Sequence, residues 1–340
     1  MSALEVTWYF LVVLLFVVYA VLDGFDLGVG FWGLLTRKDE DRGVLARAIG
    51  PVWDGNEVWL IGGAVALYAA FPVVYGGLLS GLYPAAMLIV FALVLRAAAI
   101  EFRGFSDAKG REAWDAVFSV SSVVPVVLLG VALGNLLRGL PFDSFGGLAA
   151  GTLDLLNPYA LLVGFTALAM TAVHGAIYLT LKTRGALRKR AEGWAMRSWA
   201  AYLVLAAAAC AWSVARMPHL MGNYRDYPAF LLAPVLTFGG LVAVRVYLRR
   251  RRYMRAFLSS ALSIAAFLFS AALALFPMFA PVLGDPQRGL SIANTVSSSK
   301  TLTAMLVIVL IGMPLVLIYE VYAYRTHAGV VDAKESGYRP

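Results

Sequence analysis

TWYFLVVLLFVVYAVLDGFDLGVGF, residues 7–31, decides the fold class. From Thr7 to Leu22 it holds no charged residue, and a helix of about 20 residues is long enough to cross the hydrocarbon layer of a bilayer. The residues before it carry Glu5 and no Lys or Arg, and no small-residue cleavage site follows a short apolar core. The run is therefore read as a retained first span, not a signal peptide.

The rest of the chain repeats this pattern. Of 340 residues, 61% are hydrophobic and only 14% charged, and the mean hydropathy is +0.78. A soluble core cannot hide that much apolar surface, whereas a lipid-facing helix need not. Disorder, a disulfide scaffold and an ordinary soluble enzyme are excluded. The one cysteine, Cys210, lies in an alanine-rich apolar run and gives neither a disulfide nor a thiolate cluster for zinc or iron–sulfur.

Nine spans follow, at about 7–33, 51–71, 74–100, 114–137, 158–181, 199–217, 228–248, 256–280 and 301–324. They lack the polar–apolar alternation of a barrel strand, so the chain is predicted to be an all-α polytopic membrane protein forming one integral domain over 1–340. Of its 28 Lys and Arg residues, 23 fall in or beside the loops after spans one, three, five and seven and in the C-terminal tail, which includes Lys334 and Arg339. That asymmetry places the N-terminus outside and the C-terminus in the cytoplasm. The net charge of +8 is thus a topology signal, and the run RRRRYMR (249–255) is an anchor beside anionic headgroups, not a nucleic-acid site.

Charged groups inside spans are costly and mark functional candidates. Asp23 and Asp26 are three apart near the end of span one, and Asp54 and Glu57 open span two. Arg96, Glu101 and Arg103 close span three, and Asp115 begins span four. All lie toward the cytoplasmic ends of their spans, which suggests a hydrated half-channel for protons. Asp23, Asp54 and Arg96 are the deeper members. The alternative for Asp26, Glu57, Glu101 and Asp115 is pairing with loop arginines at the interface. Of three histidines, only His174 lies in a span, where a hydrogen bond to a neighbouring helix competes with haem ligation. Trp8, Trp53, Trp59, Trp114, Tyr224 and Tyr227, at span ends, are expected to form an interfacial belt.

The segments LDGFDLGVG (22–30), GPVWDGNEVWLI (50–61), AAFPVVYGG (69–77), LRAAAIEFRG (95–104), GVALGNLLRGLPFD (130–143) and LLNPYALL (155–162) resemble subunit II of the cytochrome bd quinol oxidases, over the whole chain in length and span order. The resemblance implies two four-helix bundles plus one peripheral helix, in a bacterial cell membrane. It implies a heterodimer with a haem-bearing subunit I that holds haem d and two b-type haems, oxidises quinol and reduces dioxygen to water. No haem is expected on this chain. A structural quinone held between helices and a small single-span accessory subunit occur in some members. Asp23, Asp54, Arg96 and Glu101 match positions implicated in proton intake, with Glu101 standing where the family has aspartate. Two rival readings remain: a proton-coupled secondary transporter, and a subunit that only stabilises its neighbour.

Overall fold

The computed structural model describes residues 1–142 and 151–331; Asp143 of the fifth motif and Lys334 and Arg339 of the tail lie outside the described residues. Thirteen α-helices follow in order: α1 (Ala3–Gly33), α2 (Asp39–Ile49), α3 (Trp53–Ala70), α4 (Pro72–Gly81), α5 (Tyr83–Phe102), α6 (Ala108–Arg138), α7 (Pro158–Lys182), α8 (Gly185–Arg216), α9 (Gly222–Asp226), α10 (Leu232–Arg249), α11 (Tyr253–Leu275), α12 (Ile292–Thr295) and α13 (Ser299–Thr326). Among the described residues, eight helices are long and apolar enough to cross a membrane, or nine when the bent pair α3–α4 is counted as one broken span.

Helix starts are set locally. Ser2 and Glu5 form a reciprocal cap on α1, Asp107 caps α6, Asn157 caps α7 just before Pro158, and Ser298 caps α13. Between α3 and α4 the axis turns by 119° at Phe71. Pro72 has no N–H to continue the ladder, so the last carbonyls of α3 need other donors. Ser297 supplies both, its backbone N–H to the Ala70 oxygen (2.8 Å) and its hydroxyl to the Ala69 oxygen (2.7 Å). The expected third span at 74–100 is corrected accordingly: residues 72–81 belong to the broken pair, and the span proper is α5.

Other boundaries move as well. The fourth and sixth spans are longer than expected, because the polar segments 108–113 and 185–198 continue α6 and α8 as helix beyond the apolar run. The eighth span, expected to run to 280, ends at Leu275, and the connector after it contains a two-stranded antiparallel hairpin, β1 (Met278–Val282) with β2 (Asp285–Ser291), a small exception to an all-helical chain. It holds the chain after α6 in place: Leu140 N–H donates to the Pro281 oxygen and Leu283 N–H to the Leu140 oxygen, each at 2.9 Å.

The spans form two groups of four. Helices α1, α3, α5 and α6 pack together, as do α7, α8, α10 and α11, and α1 and α6 join the groups by packing on α7. Helix α13 lies on the outside against α1 and α3. The α1–α7 crossing depends on glycine. A Cβ on Gly28 would stand 2.0 Å from the Thr171 carbonyl oxygen, and one on Gly175 2.4 Å from the Gly28 carbonyl carbon. Backbone-to-backbone approach of this kind is how small residues hold helices together where lipid offers no hydrophobic drive.

Gly175→Ala is therefore expected to destabilise the chain by about 1–3 kcal/mol or more through forced separation of α1 and α7. Gly193→Ala on α8, where a Cβ meets nothing within 4 Å, is expected to be neutral or slightly stabilising. Melting midpoints of the two variants in detergent check this, and equal midpoints count against the packing argument.

The aromatic belt is corrected in part. Trp8 and Trp59 are buried, and their indoles donate to the Leu302 oxygen (3.0 Å) and the Glu320 carboxylate (3.2 Å) on α13. They fasten the outer helix instead of resting at a membrane surface.

Candidate functional site

The motif residues of α1, α3 and α5 meet at the end of the first bundle that carries the arginine-rich loops. Arg96 of α5 has no exposed surface, although guanidinium is among the groups costliest to bury unpaired. Its Nη2 lies 2.7 Å from Asp23 Oδ1 of α1 and 2.9 Å from Glu57 Oε2 of α3. The contact to Glu57 is a directed hydrogen bond, whereas that to Asp23 is an ion pair off the N–H axis. Tyr19, one turn back on α1, faces the same carboxylate without an aligned hydrogen bond. Asp26, one turn on, is also fully buried, and Asn56 Nδ2 donates to its Oδ2 at 2.7 Å. The Tyr324 hydroxyl of α13 then donates to Asn56 Oδ1 at 2.7 Å.

Charge count and hydrogen-bond count both matter here. Two carboxyl groups contact one guanidinium, and a third, Asp26, lies one helical turn from Asp23. The Tyr19 hydroxyl, both Asp23 oxygens, Asp26 Oδ1, and Nε and Nη1 of Arg96 make no hydrogen bond within the described chain. Buried polar atoms gathered in this way are what internal water serves.

The other expected members sit elsewhere. Asp54, taken from sequence as one of the deeper groups, is exposed at the first turn of α3; the inward-facing residue of that turn is Asn56. Glu101 is half-buried and makes no ion pair or side-chain hydrogen bond among the described residues. Asp115 is buried but belongs to a second, loop-side network. Arg103 Nε binds its Oδ1 at 2.6 Å, Arg42 approaches at 3.7 Å, and Arg103 also binds Asp39 at 2.6 Å. Asp115 thus pairs with loop arginines, while Glu57 and Asp26 do not. Arg190 of α8 forms an ion pair with Asp41, so α2 is tied to the second bundle as well.

Asn56, Tyr19, Tyr324 and Glu320 complete the polar belt and were not singled out from sequence. Glu320 stood in view within the apolar run LVLIYEVYAY (315–324).

Each histidine has a ring nitrogen against a protein oxygen, His327 through Nδ1 and the Ala323 carbonyl at 3.0 Å. His174 is fully buried, with Nε2 3.0 Å from the Val21 oxygen, Nδ1 2.6 Å from Ser260 Oγ, and its ring stacked on Phe257. Both ring nitrogens are engaged: Nε2 faces a carbonyl, which only accepts, and the Ser260 hydroxyl beside Nδ1 donates to the Phe257 oxygen at 2.8 Å. His219 Nε2 binds the Leu137 oxygen at 3.0 Å. Among the described residues no group of three or more His, Cys, Asp or Glu could hold a metal ion.

Comparison with known proteins gives the family and the fold. The family model described as cytochrome bd terminal oxidase subunit II matches residues 4–327. A Bacillus subtilis protein described as cytochrome bd ubiquinol oxidase subunit 2 is 33% identical, covering 98% of this chain and 99% of the relative. The Escherichia coli K12 cytochrome bd-I ubiquinol oxidase subunit 2 is 31% identical, with 95% and 94% covered. The structure of bd oxidase from Geobacillus thermodenitrificans contains a chain of the same fold, with a TM-score of 0.79 over 96% of this chain and 98% of that one, at 19% identity. From its motifs, its two four-helix groups and these relatives, the chain belongs to the cytochrome bd terminal oxidase subunit II family.

Proposed function

We propose that this chain is the proton-intake subunit of a bd-type terminal quinol oxidase. Membership of the family makes it a membrane-embedded subunit of a haem-containing quinol oxidase and sets aside the carrier reading. In the arrangement proposed, a larger subunit I holds haem d and two b-type haems and the quinol site, and this chain binds it as a heterodimer. The arginine-rich end faces the cytoplasm of a bacterial cell and the β1–β2 hairpin the outside.

The observation that carries the reading is the buried set Asp23, Arg96 and Glu57, with Asp26 beside it and several polar atoms unserved by the chain. Arg96 keeps charge and hydration at a depth where carboxylates alone would be costly. Asp54, exposed three residues from Glu57, is the member of the set that meets water or another subunit. Dioxygen reduction consumes protons. If they come only from the cytoplasm while electrons enter from quinol on the other side, turnover builds a membrane potential without a pump. This chain moves protons and supplies no haem ligand.

The alternative of a purely structural subunit is favoured by the same ion pairs, since Arg96 also staples α1, α3 and α5 together. Affinity purification of the tagged chain from its native membrane is the first test. A larger subunit with b- and d-type haem bands in the reduced-minus-oxidised spectrum is expected to copurify. A colourless, solitary protein overturns the assembly proposed.

A further inference from the structure

Helix α13 is the outermost span, and along its 28 residues only Leu302 and Glu320 are buried. A leucine in that position follows from packing. A carboxyl group does not, because burying it in the membrane costs free energy unless it is paired, hydrated or used. Among the described residues Glu320 has no cation within ion-pair distance. It receives one hydrogen bond, from Trp59 Nε1 to Oε1 at 3.2 Å. An indole N–H needs only one acceptor, which an uncharged amide or hydroxyl provides at lower cost.

The surroundings are shaped for it. Gly55 lies against the carboxyl, and a Cβ there would come within 3.3 Å of Oε1, so the bare backbone keeps the space beside the acid open. Asp54, the preceding residue, is exposed. Four residues beyond Glu320 on the same face of α13, Tyr324 bonds to Asn56 and Asn56 to Asp26, each at 2.7 Å. Asn56 has its oxygen committed to Tyr324 and its nitrogen to Asp26, so it fixes the geometry of that arm and carries no proton along it. The first two turns of α3 thus have two working faces. Glu57 reaches Arg96, the partner of Asp23, on one, and Gly55, Asn56 and Trp59 receive Glu320 and Tyr324 on the other.

We infer that Glu320 is a proton-loading carboxyl of the C-terminal span, placed between cytoplasmic water and the Asp54 end of α3. In each cycle a carboxylate oxygen of Glu320 takes a proton from water at the membrane face and becomes a carboxyl. That proton then returns to water passing Gly55 toward Asp54; only O–H bonds are made and broken. The inference rests on the proton-intake reading and extends it from three spans to four.

The test uses the assembled oxidase with Glu320→Gln, Glu320→Leu, Trp59→Phe and, as a reference for the main cluster, Asp23→Asn. Glu320→Gln keeps the acceptor for Trp59 and cannot hold the proton. It is expected to assemble with full haem content and to lose one carboxyl C=O band from the redox-induced infrared difference spectrum. Its quinol-driven oxygen consumption is expected to fall about tenfold, less than a lone acid–base group contributes, because the Glu57 arm remains. Trp59→Phe keeps the acid without its hydrogen bond, so the same band is expected to shift. Wild-type turnover and spectrum in Glu320→Gln, with haem loss only in Glu320→Leu, make Glu320 a structural anchor and overturn the inference. If Asp23→Asn is slowed while Glu320→Gln is not, the inference fails and the proton-intake reading stands. If neither is slowed, both fail. A band unmoved by Trp59→Phe and retained in Glu320→Gln also sinks it.

Discussion

Arg96→Leu is expected to remove most of the margin that keeps this chain folded. The guanidinium it deletes is wholly buried between Asp23 and Glu57, with Asp26 one helical turn away. Leucine fills part of the volume but leaves three acids facing one another at membrane depth. Removing one partner of a buried ion pair costs about 3–5 kcal/mol, and total stabilities are about 5–15 kcal/mol. The loss is therefore a large fraction of the stability of an ordinary domain. Arg96→Lys keeps the charge, but a single ammonium on a flexible stem does not reproduce the planar fork, and an intermediate loss is expected. Combining Arg96→Leu with Asp23→Asn and Glu57→Gln removes two of the three orphaned acids, leaving Asp26 with its Asn56 hydrogen bond, and is expected to restore folding in part. Yield and melting midpoint in detergent read all three. A wild-type midpoint for Arg96→Leu alone contradicts the placement of Arg96 as the counter-charge of the cluster.

The contrast between Arg96 and Asp54 shows what the sequence could and could not tell. Arg96 declared itself, because an arginine within an apolar run must find acids, but the sequence grouped it with Asp23 and Asp54, and the structure gives it Asp23 and Glu57. Asp54 and Glu57 also share a helix face by spacing, yet only Glu57 meets Arg96. Spacing along one helix ranks the residues of a face but does not say which neighbour covers each angle. The packing of α1 and α13 against α3 turned Asn56 inward and left Asp54 out.

The same limit explains the third span. Residues 72–81 are as apolar as the spans on either side, so hydropathy runs through them, and only Pro72 and Pro84 hinted at the 119° break. The break has a structural use. It ends α3 at Phe71, where Ser297 receives its carbonyls, and ties the broken span to the segment leading into α13. Glu320 was visible as an acid in the last apolar run, but its significance depends on Gly55 and Trp59, some 260 residues earlier. Span number and the loop charges follow from local composition. Which buried acids meet is a property of helix packing.

Asp23→Asn separates the two roles that remain for the cluster, because stability and proton transfer move in opposite directions. The substitution preserves volume and keeps Glu57 bound to Arg96. It lowers the count of acids around the guanidinium from three to two, which relieves like-charge repulsion among Asp23, Asp26 and Glu57. The melting midpoint of the oxidase is therefore expected to stay level or rise, and haem content to match the wild type. An amide cannot pass on a proton as a carboxyl does, so quinol-driven oxygen consumption is expected to fall by about 10²-fold or more, the lower end of the contribution of a positioned proton-transfer group. Membrane-potential generation in liposomes is expected to fall with it. A subunit whose buried charges serve only to staple helices gives the reverse pattern: a changed midpoint with turnover per haem intact. Measuring midpoint, haem content and oxygen consumption on one preparation decides between them, since loss of activity with stability preserved is a result that stapling alone does not produce.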